Sequence, residues 1–60
     1  MKHIFKVTCL RMDNNEMFYN KVWVIAKDRQ DAIRKGSEII VEIVEKANIL
    51  EETLEARKLI

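Results

Sequence analysis

Sixty residues hold one domain and no more, and a chain of this size buries only about 60% of the surface its unfolded form exposes, so its stability needs support. A single cysteine and a single histidine exclude an intrachain disulfide and remove most routes to a structural metal, which leaves oligomerisation. Apolar residues at 48%, charged residues at 35%, one glycine and no proline describe a regular fold and exclude a linker or a disordered tail.

The net charge of +1 excludes an acidic DNA mimic and gives little help to a strong phosphate binder. Its distribution is uneven: residues 1–27 carry five Lys and Arg against two acids, and residues 28–60 carry six against eight. The longest apolar run, Val22 to Ala26, falls far short of the roughly 20 residues of a membrane-spanning helix, and MKHIFKVTC has no signal-peptide core. The expectation is a soluble, cytoplasmic protein that uses no cofactor, no metal and no membrane.

In chain order, residues 3–12 (HIFKVTCLRM) and 17–26 (MFYNKVWVIA) are rich in β-branched and aromatic types, and Asp13-Asn14-Asn15-Glu16 between them is made of turn formers. This predicts a β-hairpin over 3–26 with Met12 opposite Met17. Alternation then sorts the side chains onto two faces. One face carries Phe5, Val7, Cys9, Val22, Val24 and Ala26. The other carries Ile4, Leu10, Met12, Met17, Tyr19, Trp23 and Ile25, interrupted by Lys6, Thr8 and Lys21.

Asp28, with Asp31 three residues on, marks the start of a helix predicted over 28–47. Its apolar stripe is Ala32, Ile33, Gly36, Ile39, Ile40, Ile43, Val44 and Ala47. Asn48 followed by Glu51, then acids first and Arg57-Lys58 last, predicts a second helix over 49–60. Continuation of the first helix, or a third strand with Leu54, Ala56, Lys58 and Ile60 on one side, are the alternatives. The fold class expected is α+β in the order ββαα, with ββαβ as the other reading.

The aliphatic hairpin face suits the helix, and Gly36 lets the helix lie close to the sheet. The Trp23 face is then left to be covered by residues 49–60, by a second copy in a homodimer, or by a protein partner, since a patch of that size does not stay wet. Trp23, Tyr19, Ile4, Ile25, Leu10, Met12, Met17, Lys6 and Lys21 are the candidate interface residues. Stacking of unpaired RNA or DNA bases on the same basic, aromatic face is the competing reading.

An enzyme is not expected. His3 and Cys9 share a face but lie six residues apart on one strand, about 20 Å, too far for a nucleophile and its base. Cys9 has a disulfide partner only in another copy of the chain. Glu38, Glu42 and Glu45 read as part of a solvated helix face laced by the i,i+4 pairs Arg34–Glu38, Asp31–Lys35 and Glu42–Lys46. No phosphate-binding glycine loop or CxxC pattern is present.

Phe5, Val7, Val24, Ala26, Asp28, Ala32 and Ile33, in the frame FKVTC then VWVIAKDRQDAI, resemble the pattern of small phage-type β-β-α accessory proteins. The same half of the chain is similar to a half-domain of a ribosomal large-subunit protein family, whose basic RNA-contacting tail has no counterpart in residues 49–60. The resemblance implies a phage accessory protein that inhibits or regulates a host protein in the host cytoplasm.

Overall fold

In the computed structural model of the chain, which describes all 60 residues, Asn14 and Asn15 both take left-handed backbone angles, φ 52° and 64°. Two such residues build the hairpin turn whose twist matches the strands it joins, and asparagine tolerates that conformation better than most side chains. The turn joins β1 (His3–Asp13) to β2 (Glu16–Ala26), with Met12 opposite Met17 and the same register held out to His3 opposite Ala26.

The helix α1 (Arg29–Ile43) is capped by Asp28, whose carboxylate accepts the Asp31 N–H at 2.8 Å. Asp31 reaches back to accept the Lys27 N–H at 3.2 Å. Two N–H groups that the helix cannot pair are thereby satisfied, in the manner of a capping box with Asp in place of Glu. The helix ends at Ile43, short of Ala47, because Val44 swings into extended backbone and no basic residue sits in the last turn to favour continuation. The β-branched run before it lowers the cost of leaving the helix.

The C-terminal segment corrects the ββαα expectation. Residues Lys46–Asn48 make a single 3₁₀ turn and Ile49–Lys58 form a third strand, β3. β3 pairs antiparallel with β1, giving the sheet order β2-β1-β3. The decisive effect is tertiary: β1 has a second row of backbone N–H and C=O groups, and a strand beside it pairs them where a helix would not. Phe5 faces Lys58 and Val7 faces Ala56, so Ala56 and Lys58 fall on the helix side, in the phase of the strand alternative.

β3 is not a regular strand. Thr8 faces Glu55 and Leu10 faces Leu50, so two steps along β1 are matched by five along β3. The hydroxyl of Thr53 bridges the mismatch: it accepts the Leu10 N–H at 2.8 Å and donates to the Leu50 carbonyl at 2.6 Å. A side chain thus stands in for a missing ladder bond.

The core lies between the helix and the aliphatic sheet face. Phe5, Val7, Val24, Ala26 and Ala32 form one cluster, and Cys9, Ile40 and Ile49 a second, joined through half-buried Val22 and Leu54. Gly36 sits directly on Val7: a Cβ added there would lie 2.6 Å from the Val7 Cβ. The body measures 40 × 17 × 16 Å, and such a thin shape leaves nine of 60 residues buried.

Candidate interaction surface

No element crosses the second face of the sheet. Residues 49–60 do not fold over it; as β3 they widen it. Because paired residues share a face, the open side is built in rows across β2, β1 and β3. One end is apolar, with Ile25 beside Ile4 and Leu59 donating its N–H to the Ile4 carbonyl at 2.8 Å. Next come Trp23, Lys6 and Arg57, then Lys21, Thr8 and Glu55. The far end returns to apolar character with Tyr19, Leu10 and Leu50, followed by Met17 and Met12.

All nine candidate interface residues therefore lie on this one face. Trp23 is 55% exposed and Tyr19 58%, values that no core aromatic shows. The Lys21 ammonium sits 5.6 Å from the centre of the Trp23 ring, close enough for a cation–π attraction that orders both side chains. The waist of the face carries Lys6, Lys21 and Arg57 against Glu55, so two apolar ends flank a cationic middle.

Leu50, Glu55, Arg57 and Leu59 were missing from the sequence reading of this face. Their signal was the strand alternative for residues 49–60, which places the odd-numbered residues 55, 57 and 59 opposite Leu54 and Ala56. Phe18 and Arg11 lie outside both predicted hairpin faces. They face each other on the helix side, with the Arg11 guanidinium 4.4 Å from the Phe18 ring centre and 3.6 Å from the Asp13 carboxylate.

No protein-family model, curated protein or solved structure matches this chain.

His3 and Cys9 stay apart on the helix side of β1. His3 sits edge-on to Phe5 with ring centres 6.5 Å apart. Cys9 is a free thiol, 2% exposed, and burial pushes its pKa up. A buried, protonated thiol is a core residue and a poor nucleophile.

The charged helix face is an ion-pair network centred on Asp31, which meets Arg34 at 2.9 Å and Lys35 at 3.2 Å. The hydrogen bond from Arg34, then the Lys27 N–H and Lys35, lower its pKa to about 2. Arg34 also meets Glu38 at 3.4 Å. The expected Glu42–Lys46 pair does not share a helix face, because the helix stops between them. Glu38 and Glu42 instead border a groove between α1 and β3, together with Lys46 and Glu51.

Proposed function

We propose that the protein is a non-enzymatic protein–protein interaction module that binds its partner through the open sheet face around Trp23 and Tyr19. The observation that supports this reading is the exposure of both aromatics on a face no part of the chain covers. Large aromatic rings with a polar edge are the side chains that most often anchor protein interfaces, because they bury much area at little entropic cost. The apolar ends, Ile25–Ile4–Leu59 and Tyr19–Leu10–Leu50, favour a protein surface over a nucleic-acid strand, which has no matching pair of dry patches. Inhibition or regulation of a host protein in the cytoplasm is the role that the phage-type resemblance adds.

One arrangement favours the second reading, binding of single-stranded RNA or DNA. Lys6, Lys21 and Arg57 surround Trp23, and a ring among cations is a stacking platform for an unpaired base.

Affinity capture from host lysate with the wild-type chain and with Trp23→Ala tests both. The expected result is one protein retained by the wild type and lost with Trp23→Ala, while far-UV circular dichroism is unchanged. Equal retention by both chains would overturn the proposal, and salt-sensitive binding of a single-stranded oligonucleotide, lost in Trp23→Ala, would replace it with the second reading.

A further inference from the structure

The sheet has an outer edge that the open-face reading does not use. The N–H and C=O of Ile4 pair with the last residues of the chain, and the Leu10 N–H also points toward β3. Backbone groups alternate sides along a strand, so the even residues of β1 serve β3 and its odd residues serve β2. The even residues of β2 then bond to β1, and its odd residues point outward. Consistently, the outward carbonyl of Ile25 is taken by the Lys35 ammonium at 3.0 Å. Besides the Ile25 N–H, the residues whose N–H and C=O are both left over are Met17, Tyr19, Lys21 and Trp23.

This edge is long, and its strand keeps an unbroken register with β1. It has no proline and no bulge, and Lys21 is its one charge between Met17 and Ala26. Edges with so little protection are templates for another strand. The flank above it carries apolar side chains too. Ile39 borders the groove beside Trp23, Val24 and Ile25, with Lys35 and Glu38 on its rim. Ile43, one helical turn on along the same flank, is 70% exposed.

We propose that β2 pairs with β2 of a second copy, antiparallel about a two-fold axis at Asn20, to make one continuous six-stranded sheet. The register follows from the free groups, because the midpoint of residues 17, 19, 21 and 23 is Asn20. Tyr19 then faces Lys21 of the other copy and Met17 faces Trp23, matching a cation with an aromatic ring and a thioether with another. An axis at Lys21 sets that lysine against itself. An axis at Val22 needs the Ile25 carbonyl that Lys35 already holds. The Asn20 axis also brings together two copies of an amide whose Oδ1 has no hydrogen-bond partner within the chain. It extends the line of Ile39 and Ile43 toward its own mate. Both open faces end on the same side, so self-association and partner binding are compatible.

Sedimentation equilibrium on the wild type, Lys21→Pro and Lys6→Glu tests the proposal. The Lys21 N–H points away from β1, so proline there spares the monomer's ladder and removes a bond to the second copy. The expected result is a dimer for the wild type and Lys6→Glu, and for Lys21→Pro a dimer dissociation constant raised at least about 100-fold, seen as a monomer with unchanged circular dichroism. A second variant keeps the test open should the proline chain unfold. Cys9→Ala/Asn20→Cys places its thiol opposite its own copy, at the close spacing of a non-hydrogen-bonded pair, and forms a crosslinked dimer on mild oxidation. A wild type that stays monomeric at millimolar concentration, a dimer that survives Lys21→Pro but not Lys6→Glu, or no crosslink would each overturn it. The Lys6→Glu arm reports separately on the open face.

Discussion

The two sides of this sheet carry comparable numbers of apolar side chains, yet one takes the helix and the other takes nothing. On the covered side the central contacts are Val7, Cys9 and Ala26 against Ala32, Gly36 and Ile40, all small or aliphatic and all buried. The open side carries Trp23, Tyr19, Lys6 and Lys21, whose ends need water or a partner. A helix can approach a sheet closely only where no polar-tipped group lies between them, and the one buried ring on the covered side, Phe5, is packed among Ala26 and Ala32. Side-chain size and polar ends therefore decide which face becomes core.

The sharpest way to break that difference is Gly36→Ala. Alanine is the better helix former by about 1 kcal/mol, but its Cβ would lie 2.6 Å from Val7 on the central strand, which has neighbours on both sides and no room to shift. Overpacking of this kind costs typically about 1–3 kcal/mol, so a lower urea midpoint is expected despite the gain in propensity. Trp23→Ala, on the open face, should change stability by less than about 1 kcal/mol. A Trp23→Ala loss as large as that of Gly36→Ala would show that the open face is core.

A smaller effect is expected where β3 joins the sheet. Thr53→Val keeps the shape and removes the hydroxyl, leaving the Leu10 N–H and the Leu50 carbonyl without their shared partner. The cost is about 1 kcal/mol, because the bridge is only part-buried and water can replace the hydroxyl. Thermal unfolding of Thr53→Val beside Thr53→Ser, which retains the bridge, separates the hydroxyl's contribution from that of packing.

The smallest effect is electrostatic. Asp31 has its pKa lowered from 3.8 to about 2. Its ionised form is therefore favoured by folding, and the stability it supplies is present above about pH 4 and is lost as pH falls toward 2. The site is exposed to solvent and screened by salt. A shallow decline in stability over that window is expected, absent in Asp31→Asn, as measured by urea titration at each pH.

The hairpin was legible in the sequence because local signals agree: two asparagines that accept left-handed angles, and alternation that places Phe5, Val7 and Cys9 on one side. The Asp28 cap and the role of Gly36 were legible for similar reasons. β3 was not. Its residues, Leu, Glu, Ala, Arg and Lys, are good helix formers, and Asn48 with Glu51 imitates a capping box. What makes the segment a strand is the unpaired side of β1, as distant in the chain as Arg11 is from Ile49 or Phe5 from Lys58, and no local pattern encodes that partner. The helix stripe was read too wide for a related reason. Ile39 and Ile43 fit the period, but the sheet is narrow and only Ala32, Gly36 and Ile40 are buried against it.

The alternation of backbone groups along β1 has a kinetic side. Its odd-numbered amides are held by a neighbour reached through a two-residue turn, whereas its even-numbered amides are held by the far end of the chain. Opening of the C-terminal strand releases one set to solvent exchange and leaves the other protected. Amide exchange along this one strand therefore distinguishes, residue by residue, opening of β3 from opening of the hairpin.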